Sequence, residues 1–457
     1  MVGIFDCPDE ILEAVIEQVA LPTPTREHDL CSLALSCRRL CSVSTSFLYQ
    51  DVSFSTPPEA FSMQNIYHSS PDHFLAYDRI HLFLRTLDEN PGLAVLVQNI
   101  HIWYCERSET EKGRHHTDDG PSWVADIKHL LQLVPKVQVL DIYTDPGINP
   151  SIFTDELSVA EALYSETPFS LARPWNAQTF PWLREVRFAG VGAAVADFPI
   201  DLFWSPKVRR VDWLCFPKTK RRLQLPPGKK PFTSRVTCLT MCQQSREEDE
   251  WTEDLRELLT WPAALEEFTH FGSQWKATTL CRLLEPHSSS LKYLDLGNYC
   301  MTILDLSQFE NLVHYTTWAS CLLASVTGYD FFGILIWNWP PCLQCLQINN
   351  CKDMLKFEHF PYNDEGPARF DTPLDRSSRA ILDVIRRSRI GAPHLRRILV
   401  TCFTWDDPDV TRELLVPWSP PPIVVKALED SGIVLDLDIP PKAVTNADAL
   451  VEETEED

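Results

Sequence analysis

Long apolar runs are missing from this sequence. No stretch approaches the roughly 18 consecutive apolar residues that a membrane-spanning helix requires, so no bilayer crossing and no membrane partner is expected. The first ten residues, MVGIFDCPDE, hold neither the basic region nor the apolar core of a secretory signal, which points to an intracellular protein, cytoplasmic or nuclear. Positive charge is also in short supply. Lys and Arg number 41 against 64 Asp and Glu, a formal net charge of −23. Polyanions are bound through clustered cations, so nucleic acid is not an expected partner, and protein is.

Paired cysteine spacings are lacking as well. Fifteen cysteines in a reducing compartment are expected as free thiols, most of them serving as small core hydrophobes. Cys342-x-x-Cys345 has no second CxxC, and within a strand its thiols point to opposite faces, so no metal is expected there. His115 and His116 fall in a polar loop. The turn Phe188–Val195 (FAGVGAAV) lacks the third glycine of a dinucleotide fingerprint, and Pro199 interrupts the helix that should follow. No convergent nucleophile, base and oxyanion donors stand out, so no catalytic residue and no cofactor is expected.

What is present is organised in two styles. In the first fifty residues, apolar positions 12, 15, 16 and 19 share one helical face behind Pro8 and two acids, which suits a helix start. Pro22 and Pro24 then break the chain. A second periodic stretch, Leu30–Leu40, follows Asp29 as an N-cap, and a third element runs through Ser46–Gln50.

The order Pro-x-Glu-Ile-Leu, then Leu-x-Leu-x-Cys-Arg-Arg-Leu, then Phe-Leu-Tyr-Gln-Asp-Val resembles an F-box of the fungal kind, over residues 1–54. Cys7 stands where that family usually carries Leu. The resemblance implies that Pro8, Ile11, Leu12, Ile16, Leu33, Leu35, Cys37 and Leu40 dock on a Skp-family adaptor, and through it on a cullin with its RING subunit. A helical linker and N-terminal cap is expected over 55–96.

From residue 97 a different signal repeats. Blocks of the form Leu-x-x-Leu-x-Leu, with other apolar residues replacing Leu, begin at Val97, Val137, Leu183, Val208, Val236, Leu265, Leu291, Leu312, Leu343 and Leu395. From Leu183 to Leu343 successive starts differ by 25, 28, 29, 26, 21 and 31 residues, close to the period of leucine-rich repeats. Asn349-Asn350-Cys351 places Cys351 where that repeat family carries a buried Asn or Cys. Segments 251–259 and 380–388 have helical periodicity, and Ile433–Ile439 alternates like a last strand. The expected fold is α/β: a three-helix F-box followed by an irregular leucine-rich-repeat solenoid over 97–439, parallel strands inside, helices and loops outside. An acidic, disordered tail is expected over 440–457.

Alternation along a strand puts the residues between the Leu positions on the concave face. Trp103, Tyr143, Arg187, Arg210, Phe271, Tyr293 and Trp318 are therefore the candidates for binding a protein substrate, interleaved with Glu185, Asp212, Glu267 and Asp295. Arg187 and Arg210 also suit a phosphate on that substrate. The basic run Lys218, Lys220, Arg221, Arg222, Lys229 and Lys230 resembles a two-part nuclear localisation signal, or a solvated loop between repeats. The resemblance implies a non-catalytic substrate receptor of an SCF-type ubiquitin ligase. The alternative is an F-box scaffold that binds protein without promoting ubiquitin transfer.

Overall fold

The computed structural model describes residues 7–20, 26–54, 75–105, 129–145, 180–190, 200–216, 224–243, 248–272, 277–296, 304–318, 336–351, 376–403 and 420–438. The chain divides into two compact units, Met1–Ser273 and Gln274–Asp457. That division falls within the span 97–439. Both units are α/β, built on parallel strands.

The first unit opens with three helices, α1 (Asp9–Val19), α2 (Arg26–Ser36) and α3 (Arg38–Gln50). Pro8 precedes α1 in an extended conformation, and its carbonyl accepts from the amides of Ile11 and Leu12, both at 3.2 Å. Two sequence expectations are corrected here. α2 begins at Arg26, so Asp29 sits in its first turn and is not its N-cap. The stretch Leu30–Leu40 is not one helix: it breaks at Cys37, whose extended backbone starts α3 and whose Sγ accepts from the Leu40 amide at 3.4 Å.

The three helices close on Leu12, Ile16, Leu30 and Leu40, with Cys7, Val19, Leu33, Cys37, Val43, Phe47 and Leu48 packed around them. Val15, placed on the core face by the periodicity, is instead exposed. Arg26 locks the module: its guanidinium donates to the carbonyls of Ala20 (2.9 Å), Phe47 (3.0 Å) and Asp51 (3.4 Å). It thus ties the end of α1 and the end of α3 to the strand that follows.

Strand β1 (Asp51–Phe54) follows α3 with no residue between. Helices α4 (Leu75–Glu89) and α5 (Pro91–Ala94) come next, with Phe83 set against Tyr49 and Phe54 at ring-centroid distances of 5.8 and 5.4 Å. The remaining strands of the unit are β2 (Asn99–Cys105), β3 (Val139–Asp145), β4 (Glu185–Gly190), β5 (Arg210–Phe216), β6 (Cys238–Gln243) and β7 (Glu267–Gly272). Each is parallel to its neighbour in chain order. A helix, α6 (Glu248–Leu259), precedes β7, over the segment where periodicity places one.

Register explains the core. Val52, Ile100, Leu140, Val186, Val211, Leu239 and Phe268 are aligned across the seven strands, and all are buried. Two residues on, Phe54, Ile102, Ile142, Phe188, Trp213 and Met241 form a second buried row. Fully burying side chains of this size contributes about 1.5–3 kcal/mol each before the entropy of ordering them is counted.

The second unit holds α7 (Ala277–Leu284), β8 (Tyr293–Leu296), β9 (Leu304–Asp305), β10 (His314–Trp318), β11 (Ile336–Asn338), β12 (Cys345–Cys351), α8 (Arg376–Gly391), β13 (Arg397–Phe403), α9 (Pro422–Ser431) and β14 (Val434–Asp438). β8, β10, β12, β13 and β14 pair in parallel in that order, and β9 pairs with β11 apart from them. Gly432 ends α9 at φ +67°, where its amide reaches the carbonyls of Leu428 and Glu429 and the chain turns into β14. Gly192–Val195, His115, His116, Lys218–Arg222 and the segment 440–457 lie outside the described residues, as does the side chain of Cys351.

Candidate functional site

Two surfaces carry the expected binding residues. On the helical module the eight adaptor-facing candidates separate by burial. Leu12, Ile16 and Leu40 are 4%, 1% and 7% exposed and hold the module together. Leu33 and Cys37 are half-buried against that core. Pro8, Ile11 and Leu35 face solvent, with Ile11 at 53% and Leu35 at 87% exposed. Val15, one turn from Ile11, is 54% exposed and joins it on an outward stripe. Helical spacing alone could have found it, as the partner of Ile11 at i+4.

The second surface is the strand face opposite the core of the first unit. Its central row, aligned across β1 to β7, reads Ser53, His101, Asp141, Arg187, Asp212, Thr240 and Thr269. The charged members are joined. His101 Nε2 lies 3.3 Å from Asp51 and its Nδ1 3.4 Å from Asp141. Arg187 reaches Asp141 at 3.4 Å and Asp212 at 3.1 Å. Arg210 stands 3.9 Å from Asp212 and donates to Glu267 at 2.6 Å. A line of alternating charge therefore crosses the unit from β1 to β7.

Electrostatics within the line follow from its geometry. Burial alone would pull the His101 imidazolium down, but its hydrogen bonds and attraction to Asp141 and Asp51 outweigh that and raise it to about 9. His101 is thus a cation at neutral pH, donating from both ring nitrogens. Burial would likewise lower Arg187, and Asp141 and Asp212 more than offset it. Since each arginine is already matched by carboxylates, a phosphate would have to displace Asp141, Asp212 or Glu267. The geometry does not favour the phosphate role drawn from the sequence.

Of the seven strand-face candidates, the structure brings Arg187 and Arg210 together around Asp212. Tyr293 belongs to the second unit, stacked on His314 at 4.6 Å between centroids, with its hydroxyl 3.3 Å from Thr316 Oγ1. Beside it Asp295 is 6% exposed, and its Oδ1 has no hydrogen-bond partner among the described residues. Burial pushes its carboxyl up to about 7. Trp103, Tyr143, Phe271 and Trp318 lie on β2, β3, β7 and β10, but their side chains fall outside the described residues.

Sequence reasoning missed His101, Asp51 and Asp141. A signal was available, because His101, Asp141, Arg187, Asp212 and Asp295 all occupy the fifth place of their blocks. Neither the family models nor the curated proteins compared with the chain gave a match. Among the described residues no group of three or more His, Cys, Asp and Glu is placed to hold a metal ion, and no helix is long and apolar enough to cross a membrane.

Proposed function

We propose that the chain is the substrate receptor of a Skp–cullin–F-box ubiquitin ligase, its helical module docking on the adaptor and its strand face holding a protein substrate. One observation carries the reading: Ile11, Val15 and Leu35 stand 53%, 54% and 87% exposed on short helices whose other large apolar side chains pack on the module's own core. Apolar groups presented in this way are what a partner covers. The resemblance of residues 1–54 to an F-box names the partner.

The mechanism is positional. Holding a substrate near the charged conjugating enzyme raises the effective concentration of its lysines, with no chemistry asked of this chain. Thiol chemistry is supported by none of Cys238, Cys281 and Cys345. Burial raises all three, Cys238 to about 11 and Cys281 to about 12, so they stay protonated at neutral pH.

The test is capture of a purified Skp-family adaptor by the intact chain and by an Ile11→Asp, Leu35→Asp variant. Both positions are exposed, so the fold should survive, as circular dichroism would report. Leu12→Asp is unsuitable, because it puts a charge into the module's core. Loss of two anchors should cost about 2–4 kcal/mol, roughly a 30- to 800-fold weakening. Absence of binding by the intact chain would remove the adaptor from the reading.

A further inference from the structure

Beyond that reading, we infer that the edge of the first unit from which β4, β5 and β6 start is a docking surface for an acidic polypeptide segment. Its cations are Lys207, Arg209, Lys229, Lys230 and Arg235, and its rings are Trp182, Trp204 and Phe232.

The groups fall into small contact sets that lie close together along the stretches 204–209 and 229–235. Lys207 Nζ sits 3.2 Å above the ring of Trp182, which is 46% exposed. The guanidinium groups of Arg209 and Arg235 both reach the Pro206 carbonyl at 3.4 Å, and Arg209 also donates to the Val208 and Arg235 carbonyls. Trp204 donates from its indole N–H to Thr233 Oγ1 at 3.1 Å, and Lys229 Nζ stands 5.6 Å from the Trp204 ring. Thr233 in turn donates to the Lys230 carbonyl. Phe232, 43% exposed, is held there by a positive φ of 56° and a hydrogen bond from its backbone N–H to the Thr260 carbonyl.

What sets this edge apart is its unbalanced charge. On the strand face His101, Arg187 and Arg210 are each paired with carboxylates. Among the described residues Lys207 and Lys229 meet ring faces, Arg209 and Arg235 meet backbone carbonyls, and none of the five cations, Lys230 included, is paired with a carboxylate. In a chain of net charge −23, five neighbouring cations without counter-ions among the described residues favour an anionic partner at that spot. A long polyanion would run from the patch onto a predominantly acidic chain, whereas a short acidic peptide stays within it. The exposed Trp182 and Phe232 suit apolar side chains interspersed among its acids.

Lys229 and Lys230 are also two of the six residues of the basic run that resembles a nuclear localisation signal. They lie beside the Gly228 turn, at φ +80°, with the Lys229 amide bonded to the Pro226 carbonyl. A folded turn of this kind serves as part of a surface more readily than as an extended signal.

Fluorescence anisotropy with the full chain tests the inference. The probe is a labelled peptide of about twelve residues, mainly Glu and Asp with one Leu and one Phe, compared with the same peptide carrying Gln for every acid and with an oligothymidylate of equal charge. The informative variant is Lys207→Glu, Lys229→Glu, Lys230→Glu, since these side chains make no hydrogen bond among the described residues; Trp182→Ala removes a ring while keeping the charges. Saturable binding of the acidic peptide is expected, weakened at least about tenfold by the triple variant and severalfold by added salt. Adaptor capture should be unchanged in the triple variant, which separates this inference from the proposed function. No binding by the wild-type chain at about 100 µM, equal binding by the triple variant, or oligothymidylate binding as tightly as the peptide would each overturn it.

Discussion

Replacing His101 with Gln should flatten the dependence of stability on pH between about 6.5 and 9. In the folded chain the imidazolium is held by Asp51 at 3.3 Å and Asp141 at 3.4 Å, with its side chain 27% exposed. Its pKa rises from 6.5 to about 9. A group whose folded pKa lies above its unfolded one contributes in full below the unfolded value. That contribution fades as pH climbs to the folded value. The shift corresponds to at most about 3 kcal/mol, because one pKa unit is about 1.4 kcal/mol. Denaturant unfolding at a series of pH values should show the wild type losing stability across that window and His101→Gln losing much less. An NMR titration of the His101 ring should have its midpoint near 9. A midpoint near 6.5, or parallel pH profiles for the two proteins, would refute the charge line as described.

Asp295 should also cost stability as pH rises, for a different reason: burial disfavours its ionised form, whereas the partners of His101 favour the charged one. Burial raises its carboxyl from 3.8 to about 7, so ionisation opposes folding as pH rises through that interval. Asp295→Asn should therefore stabilise the chain by about 2 kcal/mol at pH 8 and leave it unchanged at pH 4, read by thermal unfolding. Gly432→Ala should cost about 1 kcal/mol by the same assay. No atom crowds a Cβ there, so the penalty comes from φ +67° alone, and Gly432→Asn should cost less.

The strand array was largely legible in the residues. In all ten blocks the strand begins two residues after the first apolar position: Leu183 precedes β4 at Glu185, Leu291 precedes β8 at Tyr293, and Leu395 precedes β13 at Arg397. An apolar residue that turns the chain into the core and a period-2 alternation after it form a strong signal. β9 and β11, at two and three residues, are too short to show alternation. The helical module was harder to divide. Cys37 is no ordinary N-cap, and nothing about its spacing marks the break at that point rather than three residues on. Tertiary packing chose Leu12 and Ile16 over Ile11 and Val15 for the core, although one apolar stripe could have offered either pair. The charge line escaped because its pairings, other than Arg210 with Asp212, join residues 25 to 57 positions apart. Such pairs become visible only once the register is known.

The direct passage from α3 into β1 has a mechanical consequence. Gln50 ends the helix and Asp51 begins the strand, with Arg26 bonded to backbone on both sides of the junction. Asp51 is also the first carboxylate of the charge line. There is no tether at this joint to swing on, so a protein gripping the helices is geared to the first strands at one bearing. Under the proposed function, a cargo held on those strands would be offered from a fixed angle, and the lysines it presents would be chosen by direction as well as by distance.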